Sequence, residues 1–176
     1  MVGWTDVPVD LKDTKRLDRL REYLPKIGRV VSSDLQRAIK TADALCLPQI
    51  RLPHQKDLRE LNFGDWEMKT VKEISATFDD RLISFYENPG KTSAPNGESW
   101  NQLCDRANMA VDRLLLQKSN LPLVIVAHFG IILSQIQRAE GKGAKHTMRH
   151  KIDNFSLTHL KCHEKKWRIN KINFFP

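Results

Sequence analysis

Apolar residues fall at helical spacing in some stretches of the chain and run together in others, and this contrast predicts the elements. Leu17, Leu20 and Leu24 share one face of a predicted helix that Asp13 can cap and Pro25 ends. Arg29-Val30-Val31 reads as a short buried strand. Ser32-Ser33-Asp34 offers N-caps to a second helix carrying Leu35, Ala38, Ile39, Ala42 and Leu45, with Pro48 as its stop. Val71, Ile74, Phe78, Leu82 and Phe85 trace a looser helical region. The clearest helix lies behind a predicted capping box of Ser99 and Gln102, with Trp100, Leu103, Cys104, Ala107, Val111, Leu114 and Leu115 on one face.

Leu121–Ala127 is an apolar run rich in β-branched residues, the signature of a strand buried on both faces. His128-Phe129-Gly130 ends it, and Ile131, Ile132, Gln135 and Ile136 indicate a following helix. Two further strands are predicted at Phe155–Leu160 and Trp167–Ile172. Residues 57–67 and 88–99 are too polar, or too rich in proline and glycine, for either element and read as loops. The alternation predicts one α/β domain over residues 1–176, with three α/β/α layers and a mainly parallel sheet that tolerates an antiparallel hairpin at its end.

Composition narrows the class. With 40% hydrophobic and 28% charged residues in 176, the chain can bury one sizeable core and is neither low-complexity nor largely disordered. No apolar run approaches the roughly 18 residues of a membrane span, and no secretory signal is visible. The 3 cysteines (Cys46, Cys104, Cys162) are odd in number and far apart, against a disulfide framework. A cytoplasmic protein is the expectation. The net charge of +8 would suit nucleic acid, but no nucleic-acid motif accompanies the basic stretches Lys142, Lys145, Arg149, Lys151 and Lys161, Lys165, Lys166, Arg168, Lys171. A solvated face, or a field steering anionic substrates, accounts for them better.

Two strand-to-helix junctions carry candidate chemistry, because open α/β sheets bind ligands at the carboxyl ends of their strands. Strand 29–31 leads to Arg37 in a first helical turn, whose planar fork matches phosphate oxygens. Strand 121–127 leads to His128, able to move protons near neutral pH. Helix N-termini add free N–H groups and a dipole that favours phosphate. Glu60, in the polar loop, is a candidate general acid provided its surroundings raise its pKa. Taken singly, each has a structural reading: a solvated arginine, a hydrogen-bonded histidine, an exposed loop glutamate. Joint placement beside strand ends is what favours chemistry.

At these residues the chain resembles a family. Ser32-Ser33-Asp34-Leu35-Gln36-Arg37-Ala38 is similar to the second motif of the histidine phosphatase superfamily, the phosphoglycerate mutase-like fold. Leu58-Arg59-Glu60 with Phe63-Gly64-Asp65-Trp66-Glu67 resembles its acid loop. Pro95-Asn96-Gly97-Glu98-Ser99, with Arg106 beyond, resembles its substrate-side loop, and Val124–Gly130 its second histidine motif. Gly3-Trp4-Thr5-Asp6-Val7-Pro8 looks like the segment after its first motif. Within the family, the Phe63–Met68 and Asn96–Trp100 stretches most resemble the α-ribazole phosphatase branch of cobalamin synthesis.

The resemblance implies hydrolysis of a small phosphomonoester through a phosphohistidine, with no metal or cofactor. Arg37 and His128 would bind the phosphoryl group, and Glu60 would protonate the leaving oxygen and then activate water. Gly97, Glu98 and Ser99, with Phe129, would border the substrate. The family's nucleophile is a histidine in an Arg-His-Gly or Arg-His-Thr motif at the end of a first, central strand. None of the 6 histidines (His54, His128, His146, His150, His159, His163) stands in such a motif. The first strand is therefore expected to be missing from this chain, leaving a slot in the sheet. Either an upstream segment completes an enzyme, or the chain is an inactive phospho-ligand binder; a nucleic-acid-binding protein is a third, less favoured reading. A membrane partner is not expected, and a homodimer is left open. His146 and His150, four apart, are expected to be a surface pair rather than metal ligands. His159, Cys162 and His163 point to different faces of a strand, against a shared metal.

Overall fold

The computed structural model describes residues 1–45, 50–117, 119–164 and 166–176. Its first half runs α1 (Thr14–Tyr23), β1 (Arg29–Ser32), α2 (Gln36–Ala44), β2 (Ile50–Arg51) and α3 (Val71–Glu87). The second half runs α4 (Trp100–Leu116), β3 (Leu123–Val126), α5 (Phe129–Glu140), α6 (Ala144–Thr147), β4 (Leu157–His163) and β5 (Lys166–Phe174). Cys46 and Pro48 lie outside the described residues.

The helix signals read from sequence act where they were expected, with one exception. The Asp13 carboxylate accepts from the Arg16 N–H at 3.1 Å, and Ser99 and Gln102 form the reciprocal capping box of α4. The start of α2 differs. Asp34 does not cap it, because its carboxylate is held by both arms of the Arg59 guanidinium at 2.7 Å, a stronger, charge-assisted pairing. Ser33 Oγ accepts only from the Leu35 N–H, ahead of the helix. The Gln36 N–H is instead taken by Asp6 Oδ1 at 2.8 Å, a cap supplied from thirty residues away. The loose third helix breaks at Phe78 (φ −137°, ψ 36°).

β2, β1 and β3 form a parallel sheet in that order, with Arg29 opposite Leu123 and Ser32 opposite Val126. Its period-2 alternation separates two cores. Leu123 and Ile125 pack with α4, α5 and the buried Leu58, Trp66 and Leu103. Val124 and Val126 pack with Leu17, Leu20 and Leu24 of the α1 region and with Leu45. Helices therefore cover both sheet faces, as the three-layer reading requires. Each fully buried Leu or Val contributes about 1.5–3 kcal/mol to holding these layers together.

β1 is buried throughout, but β3 is not: all four of its residues are partly exposed. This corrects the expectation of a strand buried on both faces, and the sheet supplies the reason. Among the described residues β3 pairs only with β1, and β4 only with β5, its antiparallel neighbour. The free edges of β3 and β4 face a cavity of about 1100 Å³ lined by residues 121–127 and 152–160. Such edges leave strand N–H and C=O groups without ladder partners. No helix among the described residues is long and apolar enough to cross a membrane.

Candidate functional site

The cavity beside β3 reaches the strand's carboxyl end, where Arg37, Glu60, His128 and Phe129 join its lining. Each of the first three is held by a different part of the fold. Arg37 projects from the first turn of α2. Its Nη1 donates to the Thr5 carbonyl at 2.9 Å and its Nη2 to the Gly3 carbonyl at 2.6 Å. Its Nε donates to His128 Nδ1 at 3.3 Å. A guanidinium has five N–H donors, so among the described residues two are left for a ligand. Burial draws the Arg37 pKa below its ordinary value, and the Glu60, Asp6 and Glu67 charges oppose that; an arginine stays cationic throughout the physiological range.

The position of Arg37 depends on Glu67. Its carboxylate accepts from the backbone N–H groups of Gly3, Trp4, Thr5 and Phe63 and from the Thr5 hydroxyl. Burial would raise the Glu67 pKa, but these hydrogen bonds outweigh it and hold the carboxyl below its ordinary value. Glu67 thus fixes the segment whose carbonyls orient Arg37.

His128 is the N-cap of α5 and is 8% exposed. Because Arg37 can only donate, Nδ1 must accept and the ring proton sits on Nε2. That buried Nε2 has no hydrogen-bond partner among the described residues. Burial, then the Arg37 and Arg106 charges, push the His128 pKa down to about 3. In the free protein it is therefore a neutral donor at pH 7, not the near-neutral proton shuttle expected from the residue type. An anion beside it favours the charged form and shifts it upward.

Glu60 is also buried. Burial raises its pKa, against hydrogen bonds from the Gly130 and Leu61 N–H groups and the Arg37 and Arg106 charges. A carboxyl so raised can hold a proton to donate. The Gly130 N–H at the start of α5 lies 3.0 Å from Glu60 Oε1, which ties the acid to the helix that His128 caps. A Cβ at Gly130 would lie 2.3 Å from that oxygen. Gly130→Ala is accordingly expected to expel the Glu60 carboxyl and cost about 1–3 kcal/mol, as overpacking does. Thermal unfolding measures the loss, and an unchanged melting temperature would refute the close approach.

The remaining candidates line up differently. Gly97 packs against the loop, where a Cβ would meet the Asn62 carbonyl at 2.5 Å. Glu98 accepts from the Asn62 N–H at 2.8 Å and pairs closely with Arg106. Ser99 Oγ is engaged in capping α4. These three stand outside the cavity lining, whereas Phe129, 49% exposed, stands at its mouth. Arg106 is the residue that joins them to the cluster. Besides Glu98 it donates to the carbonyls of Asp57 at 2.9 Å, Arg59 at 2.7 Å and Glu60 at 2.8 Å. Trp4 Nε1 also donates to the Glu60 carbonyl at 2.8 Å, with the Arg59 guanidinium 5.2 Å above its ring. Glu67, Arg106 and Trp4 entered the sequence reading only as members of the sequence motifs; their holding contacts come from the structure.

Comparison with known proteins places the chain in a family. The model of the histidine phosphatase superfamily (branch 1) matches residues 1–174. Phosphoglycerate mutase-like protein 4 of Arabidopsis thaliana is 30% identical over 149 residues, covering 81% of this chain, which spans 65% of that protein's length. The adenosylcobalamin/alpha-ribazole phosphatase of Escherichia coli is 27% identical over 176 residues, covering 97% of this chain and 86% of its own length. Among solved structures, a mycobacterial glucosyl-3-phosphoglycerate phosphatase in complex with inorganic phosphate superposes with a TM-score of 0.84 at 26% identity, over 99% of this chain and 91% of that one. With the family model running almost end to end and the fold shared throughout, this chain belongs to the histidine phosphatase superfamily.

Proposed function

We propose that the protein hydrolyses the phosphomonoester of a small metabolite at the Arg37–His128–Glu60 cluster. One observation carries the reading: a permanent cation, an unpartnered buried N–H donor and a raised-pKa carboxyl converge at the carboxyl end of β3 and the N-terminus of α5. That is the equipment for gathering phosphoryl charge and protonating a leaving oxygen. In the family pattern the nucleophile is a histidine at the end of a first strand, which would sit along the open edge of β3. Its ring nitrogen attacks phosphorus while the ester oxygen leaves with the Glu60 proton. Water then attacks the phosphohistidine, giving its proton to the Glu60 carboxylate, and the histidine and inorganic phosphate are released. Arg37 and His128 hold the equatorial oxygens in both steps.

The finer proposal is α-ribazole 5′-phosphate as substrate, supported by the phosphatases of that name among the relatives and by the Phe63–Met68 and Asn96–Trp100 stretches. A basic field from the chain's +8 charge favours any such dianion. The second reading, a phospho-ligand binder without turnover, is favoured by the open edge of β3 and the lack of an Arg-His-Gly motif in these residues. Assay of the natural full-length protein with p-nitrophenyl phosphate, α-ribazole 5′-phosphate and glucosyl-3-phosphoglycerate separates the alternatives. The enzyme reading expects turnover of the first, and the finer proposal a higher kcat/KM for the second. Phosphate binding without turnover selects the binder.

A further inference from the structure

Away from the phosphoryl cluster, the end of α5 and the turn after it bring three ligand-type side chains together. Gly141 adopts the left-handed conformation (φ 65°) and ends α5 immediately after Glu140. The chain folds back through α6, where Ala144, Thr147 and Met148 face inward: Ala144 and Thr147 are buried, and Met148 packs on the core. This leaves His146 and His150, four residues apart, on the outward side beside the Glu140 carboxylate. His150 Nε2 lies 2.9 Å from Glu140 Oε1, and His146 Nε2 lies 3.6 Å from Glu140 Oε2. The three ligand atoms fall within 4.8 Å of one another.

From this geometry we infer a binding site for a divalent transition-metal ion, Zn²⁺ in the first instance, made by Glu140, His146 and His150. Two imidazoles and a carboxylate are zinc's preferred donor types, and ligand bonds of about 2.0–2.1 Å in a tetrahedron put donor atoms about 3.3 Å apart. The two separations to Glu140 bracket that value. Glu140 Oε2 is buried and has no hydrogen-bond partner among the described residues, so a lone pair in this pocket is free for a cation. The Lys142 ammonium lies 3.3 Å from His146 Nε2. Since lysine can only donate, Nε2 presents its lone pair, and a metal would displace the ammonium from it. At His150 the ion would replace the proton now shared with Glu140, releasing it or moving it to Nδ1. His146 is the most exposed of the three side chains, so a fourth coordination position faces solvent and takes water. The site ties the end of α5 to the following turn and lies apart from Arg37, Glu60 and His128. It departs from the expectation that His146 and His150 form only a surface pair, because sequence spacing alone gave no sign of Glu140 beside them.

Titration of the chain with Zn²⁺ alone, followed by calorimetry, tests the site. One equivalent is expected to bind. Glu140→Gln and His150→Ala are each expected to weaken binding at least tenfold, the lower limit seen even when outer-sphere partners are lost. Lys142→Ala is expected to strengthen it, and Cys162→Ser to leave it unchanged. Should a variant fold poorly, Co²⁺ added to the unaltered chain gives a second readout: selective paramagnetic broadening of the His146 and His150 ring resonances. Absence of saturable binding, equal affinity in Glu140→Gln and His150→Ala, or broadening at other histidines instead would overturn the assignment.

Discussion

His128→Ala is expected to lower p-nitrophenyl phosphate turnover by the natural full-length protein by about 10²–10³-fold, the usual cost of removing one preorganised donor from a developing anion. The loss should fall on kcat more than on KM, because Arg37 remains to bind the ground-state phosphate. Stability supplies an independent readout. The folded-state pKa of about 3 lies below the ordinary 6.5, so the folded protein excludes a proton that the unfolded chain accepts. Stability from the neutral ring is fully present above pH 6.5 and is lost as pH falls toward 3, by up to about 1.4 kcal/mol per pH unit. The variant lacks this component. Urea unfolding across that window should therefore show the wild type losing its advantage over His128→Ala on acidification. Near-normal turnover by the variant, or parallel pH curves, would refute the assigned role.

Arg106→Met is expected to be the most damaging substitution for the fold around the site. It strips donors from the Asp57, Arg59 and Glu60 carbonyls and leaves Glu98, only 14% exposed in its side chain, without a counter-ion. Breaking a buried pair from one side costs about 3–5 kcal/mol, a large part of a total stability of roughly 5–15 kcal/mol. Glu98→Leu combined with Arg106→Met should recover part of that loss, since the unpaired charge is then gone; a double-mutant cycle in urea measures the recovery. Arg106 also lowers the Glu60 pKa. The milder Arg106→Gln should therefore move the pH–rate limb assigned to Glu60 upward, a shift that loss of stability alone does not produce.

The sequence was most legible where structure depends on neighbours along the chain. The Asp13 cap, the Ser99–Gln102 box and the strand-to-helix junctions that position Arg37 and His128 are all local signals, and the structure contains them. The parts that were not legible depend on distant partners. Nothing in residues 32–36 shows that Arg59 takes Asp34 and that Asp6 caps α2 in its place. Apart from the nearby Phe63 N–H, Glu67 and Arg106 act on backbone N–H and C=O groups tens of residues away, and those groups leave no side-chain pattern to read. The half-burial of β3 was legible in part: the strand's composition describes two neighbours, while the missing first-strand motif predicts the open edge it has in these residues. Motif resemblance identified the Phe63–Glu67 and Gly97–Arg106 stretches without showing that their acidic and basic members fix Arg37 and Glu60 in place.

Whether Arg37 and His128 form a phosphoryl site is decided by calorimetric titration of inorganic phosphate into the natural full-length protein and its Arg37→Met variant. One phosphate is expected to bind per chain, with affinity at least about a hundredfold weaker in the variant, corresponding to roughly 3 kcal/mol for lost charge-assisted hydrogen bonds. Equal binding by both proteins, or no binding by the wild type, would contradict that site.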